Sequence, residues 1–226
     1  MRRLLLLAVL TGCMTNDPAP SPRSTASGLR VLSLGDSYTT GEGVTSADRW
    51  PEGLAARLRA PGLDVAPPVV VAETGWTVAE LAAGIDAADV QGPFDLVTLL
   101  VGVNDLYRGG SAEAYRAEIG PMLDRAIALA GGRPGRVLMV SIPDWGVTPF
   151  GAADARGPAA IADAVDAFNA VAHAEAAARG VAWVDVTAVS RRQGDQTVGD
   201  GLHPDARAYA AWTDRIAPAA RDLLAE

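Results

Sequence analysis

The sequence contains no lysine, so all 19 of its basic residues are arginines. This absence excludes a Walker-type phosphate site, a Schiff-base enzyme and a lysine general base, because each of them depends on an amino group. The chain has one cysteine and two histidines, which lie far apart in the sequence. We therefore expect no internal disulfide and no metal site.

Positive charge is also scarce relative to negative charge. The formal net charge is −8, and a nucleic-acid partner would require a basic face, so we expect no nucleic acid to bind. The 226 residues, 49% of them hydrophobic, are enough for one large core and too few to predict two folded domains.

The first residues have the pattern of a bacterial targeting segment. Arg2 and Arg3 precede a short apolar run at 4–10, which is too short to span a bilayer. The tetrapeptide at 10–13, Leu-Thr-Gly-Cys, resembles the lipobox of bacterial lipoproteins, and the lone cysteine stands at its last position. The resemblance implies a signal peptide at 1–12 and lipidation of Cys13; the alternative is an ordinary signal peptide with an incidental cysteine.

A lipidated Cys13 would anchor the protein in the bacterial cell envelope. In a Gram-negative host, Met14 would favour the outer membrane, facing the periplasm. Residues 13–28 are rich in proline, serine and threonine and predict a flexible tether, followed by one folded domain at 29–226.

Five apolar runs rich in β-branched residues alternate with helical segments through this domain. The runs lack polar alternation, so both faces of each strand should be buried, as in a parallel sheet. Strand and helix alternate, which predicts a three-layer α/β/α sandwich with a five-stranded parallel sheet. Thr77 and Ser111 are the predicted N-caps of two helices. The predicted strands cover 29–34, 68–72, 95–101, 136–142 and 182–187, and the helices cover roughly 48–60, 77–90, 111–131, 158–179 and 205–224.

Polar residues follow each predicted strand. Ligands of open parallel sheets bind beyond the carboxyl ends of the strands, so we expect these loops to meet at one edge. The loops are Gly35-Asp36-Ser37, Glu73-Thr74-Gly75-Trp76, Gly102-Val103-Asn104-Asp105, Pro143-Asp144-Trp145-Gly146 and Asp200-Gly201-Leu202-His203-Pro204.

These loops contain the residue types that a serine nucleophile requires. His203 is the candidate base for Ser37, and Asp200, three residues earlier, is the candidate carboxylate that orients the imidazole. The backbone N–H groups of Ser37 and Gly75 and the amide of Asn104 are candidate donors to an oxyanion.

Four segments resemble, in order and spacing, the four conserved blocks of the SGNH/GDSL hydrolase family. They are GDSYTTGEG at 35–43, the glycine at 75, GVND at 102–105 and DGLHP at 200–204. The resemblance implies a flavodoxin-like SGNH hydrolase fold that needs no cofactor. It implies Ser37 as the nucleophile, His203 and Asp200 as its partners, and Ser37, Gly75 and Asn104 as the oxyanion hole. The chain departs from the pattern at Glu73-Thr74, where many members have an asparagine.

Several residues in these loops have alternative interpretations. Ser37 alone could be a helix N-cap, and Asp36 is predicted to bond the amides of its own turn. Asp105 and Asp205 are alternatives to Asp200 as the orienting carboxylate. Trp76, Trp145 and the run IPDWGVTPFG at 142–151 could wall a substrate pocket or could be packing that closes the sandwich.

The predicted function is that of a serine esterase acting on a small-molecule, lipid or glycan ester. Acetyl and other small esters are favoured because the chain has no long apolar lid segment, and lysophospholipid-type esters are also compatible. The alternatives are an SGNH-type acyltransferase acting on glycans and a surface lipoprotein that only binds its ligand.

Overall fold

The protein is built on one parallel β-sheet. The computed structural model describes residues 28–60 and 62–225. The strands lie in the order β2-β1-β3-β4-β5 with every pair parallel. This confirms the predicted five-stranded parallel sheet, and the order is the flavodoxin-like one. The strands are β1 (Val31–Gly35), β2 (Val69–Ala72), β3 (Leu96–Leu100), β4 (Val137–Val140) and β5 (Ala182–Val184).

Helices cover both faces of the sheet. Helices α2 and α9 pack against each other and α9 contacts β3, β4 and β5, whereas α5 packs against α3 and α7. Right-handed crossovers place these two groups on opposite faces, which gives the three layers. No helix among the described residues is long and apolar enough to cross a membrane. The helices are α1 (Ser37–Thr40), α2 (Trp50–Arg59), α3 (Val78–Ala88), α4 (Val103–Tyr107), α5 (Ala112–Leu129), α6 (Pro149–Ala153), α7 (Pro158–Ala178), α8 (Thr187–Ser190) and α9 (Ala206–Ala225).

The predicted helix starts are confirmed by their caps. The Thr77 hydroxyl accepts a hydrogen bond from the Glu80 amide, and the Glu80 carboxylate accepts one from the Thr77 amide, which forms a capping box. The Ser111 hydroxyl accepts from the Ala114 amide at the start of α5. Both caps satisfy backbone donors that the first turn of a helix leaves unpaired.

Burial of the strands depends on their place in the sheet. Every residue of β1, β3 and β4 is buried, as the absence of polar alternation predicts. The edge strands β2 and β5 are only partly buried, since each has a neighbour on one side only. Strand β5 also ends at Val184, and α8 begins at Thr187, within the last residues of the predicted strand.

Short helices at the carboxyl ends of the strands were not predicted. Helices α1 and α4 follow β1 and β3 directly, and α6 and α8 lie in the loops after β4 and β5. Each has four or five residues, which is too short for an apolar period to emerge from the sequence. The predicted signal peptide at 1–12, Cys13 and the tether up to residue 27 lie outside the described residues.

The indole of Trp76, after β2, lies against helix α3 at a point where the helix has no side chain. A Cβ added to Gly84 would lie 2.0 Å from Cη2 of the Trp76 ring. The partly buried ring packs against the hydrophobic core. Gly84 therefore provides the space that the ring fills.

Replacing Gly84 with alanine should destabilise the fold. Gly→Ala inside a helix with open space gains up to about 1 kcal/mol. Here the added methyl group overlaps the Trp76 ring, and overpacking costs about 1–3 kcal/mol, so we expect a lower free energy of unfolding. Urea unfolding of wild type and Gly84→Ala measures the difference.

The matched control removes the ring. In a Trp76→Leu background, Gly84→Ala should be neutral or stabilising, because the methyl group then has room. A stabilising Gly84→Ala in the wild-type background would contradict the packing described here.

Candidate active site

Ser37 is the first residue of α1 and stands immediately beyond the end of β1. The preceding Asp36 is the N-cap: its Oδ1 accepts a hydrogen bond from the Tyr38 amide at 3.0 Å. The helix ends at Gly41, whose φ of 77° is left-handed and whose N–H donates to the Ser37 carbonyl. Asp36, and not Ser37, therefore caps this helix. This agrees with the prediction that Asp36 bonds the amides of its own turn.

The carboxyl group of Asp36 is fully buried and only partly hydrogen-bonded. It is 0% exposed, and its Oδ2 has no hydrogen-bond partner in the part of the chain that the structure describes. Burial raises its pKa to about 8, against the lowering effect of the Tyr38 amide. Asp36 is therefore largely protonated at neutral pH.

A chain of hydrogen bonds connects Ser37 to His203 and Asp200. The Ser37 Oγ lies 3.0 Å from His203 Nε2, although the two residues are 166 positions apart. His203 Nδ1 lies 2.6 Å from Asp200 Oδ2. A carboxylate accepts hydrogen bonds, so Nδ1 carries a proton in this arrangement and Nε2 is free to accept from the serine hydroxyl.

Asp200 is fixed by its own loop. Its Oδ1 accepts from the amides of Leu202 at 2.8 Å and His203 at 3.0 Å. Partial burial raises the pKa of Asp200, but the hydrogen bonds from the His203 ring and from these two amides outweigh burial and lower it overall. Asp200 is therefore ionised at neutral pH, in contrast to Asp36.

The loop after β2 presents Gly75 with support that the sequence analysis missed. Gly75 has a φ of 88°, and its carbonyl accepts from Arg108 Nη2 at 2.6 Å. Arg108 also pairs with Glu80 of α3 at 3.0 Å. Thr74 is one of the two residues that depart from the family pattern, and its hydroxyl donates a hydrogen bond to the Glu42 carboxylate. In the sequence, the position of Arg108 four residues after Asn104 could have indicated that it lies beside the site.

Asn104 is directed towards the same loop by the glycine before its helix. Gly102 has a φ of 126°, and a Cβ at this position would lie 2.6 Å from the Tyr115 ring. The Asn104 side-chain amide donates to the Trp76 carbonyl at 2.9 Å. An amide NH2 has two N–H donors, so one bond fixes the side chain and one donor is left for a ligand.

One cavity of about 180 Å³ joins these groups. The structure therefore brings together Ser37, His203, Gly75 and Asn104 at the carboxyl edge of the sheet, with Trp145 as part of the wall. The lining residues are Ser37, Tyr38, Thr74, Gly75, Val103, Asn104, Tyr107, Trp145, Phe150, Leu202 and His203.

Trp76 requires a correction as a pocket residue. Its ring does not line this cavity, because it fills the space that Gly84 leaves on α3. The packing alternative thus describes Trp76, and the pocket alternative describes Trp145. Phe150, which belongs to the run at 142–151, also lines the cavity, and so does Tyr107, which was not among the predicted pocket residues. Tyr107 stands three residues after Asn104, which was the available signal.

The alternative carboxylates have other partners. Asp105 accepts from the Val78 amide, and burial is the main cause that raises its pKa to about 6. Asp205 accepts from the amides of Arg207 and Ala208 at the start of α9. Asp200 is the carboxylate that contacts the His203 ring.

Metal ligands are not clustered in the described chain. Across residues 28–60 and 62–225, no three histidine, cysteine, aspartate or glutamate side chains are arranged to hold a metal ion. His173, the other histidine of the chain, lies outside the site and stacks on Trp183 with ring centroids 5.1 Å apart.

Comparison with known families gives one assignment. Residues 33–211 match the model of the GDSL-like Lipase/Acylhydrolase family. The chain belongs to this family. The match runs from within β1 to the first turns of α9, and the predicted family membership is confirmed. A search of curated proteins found no match.

Solved structures agree with the GDSL-like assignment. The crystal structure of TesA shares 24% identity, with a TM-score of 0.68, over 86% of this chain and 99% of that one. The esterase EstA from Pseudoalteromonas sp. shares 17% identity, with a TM-score of 0.67, over 87% and 99%. A candidate arylesterase from Agrobacterium tumefaciens str. C58 shares 26% identity, with a TM-score of 0.63, over 86% and 99%. These similarities support the GDSL-like fold across the described domain.

The protonation of Asp36 predicts how the stability of this GDSL-like protein depends on pH. Burial raises the pKa of Asp36 to about 8 in the folded state, whereas the unfolded chain releases this proton near 3.8, the ordinary pKa of an aspartate. Between these values the folded state binds more protons, so the free energy of unfolding falls as pH rises, by at most about 1.4 kcal/mol per pH unit. The side chain of Asp36→Asn cannot ionise, so the stability of this variant does not fall with pH for this reason. Measured by urea unfolding, the free energy of unfolding of the variant should therefore rise relative to that of wild type between pH 5 and pH 8.

The control is Asp86→Asn. The hydrogen bond from Arg125 lowers the pKa of Asp86 in the folded state, so the contribution of Asp86 is lost only as pH falls through the acidic range, and Arg125 stays charged throughout. The difference between this variant and wild type should stay flat between pH 5 and 8. A flat difference for Asp36→Asn as well would show that Asp36 is ionised in the folded protein.

Proposed function

We propose that this GDSL-like protein is a serine esterase that hydrolyses small carboxylic esters through an acyl-enzyme on Ser37. One observation carries the proposal: the hydrogen-bonded chain from Ser37 Oγ to His203 Nε2 at 3.0 Å, and from His203 Nδ1 to Asp200 Oδ2 at 2.6 Å. A nucleophile in contact with a base that a third group orients is the arrangement of acyl-transfer enzymes.

In the first step, Ser37 Oγ attacks the ester carbonyl and His203 Nε2 takes the hydroxyl proton. The imidazolium that forms is stabilised by Asp200, which is already ionised and holds Nδ1–H. Because Asp200 is held by the two amides of its own loop, the imidazole ring keeps its orientation during the transfer.

The tetrahedral intermediate carries a negative oxygen that needs donors. We assign this role to the backbone N–H groups of Ser37 and Gly75 and to the free N–H of the Asn104 amide. The Ser37 N–H is the first of α1 and has no partner within its helix. Arg108 holds the Gly75 carbonyl and Asn104 holds the Trp76 carbonyl, so the donors are positioned before substrate binds.

Collapse of the intermediate releases the alcohol. His203 Nε2–H protonates the leaving oxygen, which leaves an ester between the acyl group and Ser37 Oγ. Water then attacks this ester while His203 accepts its proton, and the carboxylic acid departs as Ser37 regains its hydrogen. No step requires a cofactor.

The size of the cavity supports small substrates. Its volume is about 180 Å³, which is close to the roughly 150 Å³ of an apolar cavity that holds one benzene molecule. Acetyl and other short esters fit such a space, whereas a long acyl chain would extend into solvent. EstA is named an esterase, and the protein from A. tumefaciens a candidate arylesterase, which also supports esters as the substrate class.

Removing the Ser37 hydroxyl should abolish hydrolysis. We expect the full chain to hydrolyse p-nitrophenyl esters best at acetate and progressively less towards decanoate. In Ser37→Ala the kcat should fall by about 10⁴-fold or more, because the acyl-enzyme cannot form. Release of p-nitrophenol measures both results.

The control is Ser46→Ala, which removes an exposed hydroxyl outside the cavity and should leave the rate unchanged. Hydrolysis retained by Ser37→Ala would contradict the proposed nucleophile. A folded wild type that turns over no ester would point to acyl transfer to a sugar or to a binding role.

We also propose, from the sequence pattern alone, that Cys13 is lipidated and anchors the protein in the cell envelope. In a bacterial host, Cys13→Ser should abolish incorporation of labelled palmitate and release the protein from the membrane fraction or leave it unprocessed. Wild type under the same conditions is the reference. A variant that remains processed and membrane-bound would contradict the anchor.

A further inference from the structure

The cavity mouth carries three aromatic rings that the proposed hydrolytic steps do not use. The ring centroids of Tyr107 and Trp145 are 5.7 Å apart, those of Trp145 and Phe150 6.1 Å, and those of Tyr107 and Phe150 6.2 Å. All three residues line the cavity. We refer to them as the ring cluster.

The ring cluster is open to solvent on one side. Tyr107 is 46% exposed and Phe150 37%, whereas Trp145 is 1% exposed and forms the floor. The other exposed large hydrophobic residue in the described chain is Val69, at the start of β2 and so at the opposite edge of the sheet. Rings that only close the sandwich would be buried; exposed aromatic rings gathered at a cavity mouth are typical of a binding surface.

The guanidinium of Arg156, a residue that does not line the cavity, lies against two of these rings. The Arg156 guanidinium carbon lies 4.9 Å from the Tyr107 centroid and 4.8 Å from the Trp145 centroid. Two hydrogen bonds of 2.8 Å pair the same guanidinium with Asp154. The pairing balances the arginine charge, so the cluster does not offer an unpaired cation to an anionic substrate.

The backbone that carries the third ring is anchored at two points. The Phe150 amide donates to the Gly201 carbonyl at 2.9 Å, which connects helix α6 to the loop that carries His203. The Thr148 hydroxyl caps α6 through the Gly151 amide. A segment anchored in this way has less backbone freedom to lose when a ligand binds, and this favours affinity.

The position of the ring cluster relates it to both ends of an ester. Tyr107 belongs to α4, the helix that presents Asn104, and Phe150 is bonded to the loop of His203. The cluster thus reaches from the proposed oxyanion donors to the base that protonates the leaving group. A substituent on either side of the scissile bond can contact it.

We propose that the ring cluster binds one planar aromatic group of the ester and makes the protein selective for esters that carry such a group. This inference rests on the proposed function and deepens it. Flat rings stack on aromatic side chains or meet them edge to face, whereas a puckered saturated ring of the same size cannot. The cavity has room for about one such ring.

Matched pairs of esters test this selectivity in the full chain. Benzyl acetate and cyclohexylmethyl acetate place the ring on the alcohol side; methyl phenylacetate and methyl cyclohexylacetate place it on the acyl side. Propyl acetate is the reference without a ring. We expect kcat/KM to favour the aromatic member of at least one pair by about two- to tenfold for each ring contact. The pair that discriminates identifies the side of the ester that the cluster binds.

Variants assign the selectivity to the ring cluster. Tyr107→Leu and Phe150→Leu, alone and together, keep apolar bulk but remove the rings. In the double variant the aromatic preference, taken as the ratio of kcat/KM within each pair, should fall to near unity; a general change in rate cancels in this ratio. Trp183→Leu removes a ring outside the cavity and should leave the ratio at its wild-type value.

Two outcomes would overturn the proposal. One is equal kcat/KM for both members of both pairs in wild type, with propyl acetate hydrolysed. The other is an aromatic preference that survives in the double variant.

A binding measurement separates this proposal from the proposed function. In Ser37→Ala, which cannot form the acyl-enzyme, calorimetric titration should show tighter binding of an aromatic ester than of its cyclohexyl partner, and the two Leu substitutions should remove the difference. If wild type hydrolyses no ester but this preference is measured, the esterase assignment fails and the ring cluster stands as a binding site. If no preference is measured, the ring-cluster proposal fails whatever the activity.

Discussion

Burial of the parallel sheet on both faces is the constraint on which the rest of this structure depends. Strands β1, β3 and β4 have no exposed residue and no ionisable side chain, and the two polar side chains within them, Ser33 and Thr98, bond to each other. The ionisable groups of the site therefore lie in the loops. All strands point the same way, which brings every carboxyl end to one edge. Ser37 and His203 meet there although 166 residues separate them.

The site contains two aspartates whose surroundings give them opposite properties. Asp36, without exposure and with one oxygen unpartnered among the described residues, has a pKa raised to about 8. Asp200, partly exposed and bonded to two amides and an imidazole, has a lowered pKa. A neutral Asp36 caps the helix of the nucleophile without placing a negative charge beside it. An ionised Asp200 can stabilise a positive imidazole.

Bonds between loops add to the rigidity that the bonds within the Asp200 loop give the site. Arg108 connects α4 to the loop after β2, and the Phe150 amide connects α6 to the loop of His203. Arg156 adds a contact between α4 and the segment after α6. These connections hold the oxyanion donors, the base and the aromatic mouth in one framework, so substrate selectivity and chemistry share the same supports.

The parallel sheet and the main helices could be predicted from the sequence, because strand burial and helix caps are local patterns. The apolar run at 95–101 contains β3, and Thr77 and Ser111 are the N-caps of α3 and α5. The short helices α1 and α4 could not be predicted, since four or five residues do not show a period. Helix α1 forms where Asp36 caps its first turn, and α4 begins where the positive φ of Gly102 permits the turn.

The sequence by itself determined the residue types at the site, their order and their place after the strands. Only the tertiary structure decided which of them touch: Asp200 rather than Asp105 or Asp205 meets His203, and Trp145 rather than Trp76 lines the cavity. The reason is physical. Sequence patterns record which residues are buried and where the backbone turns, whereas contacts between distant loops depend on how the layers pack, as the gap at Gly84 that receives Trp76 illustrates.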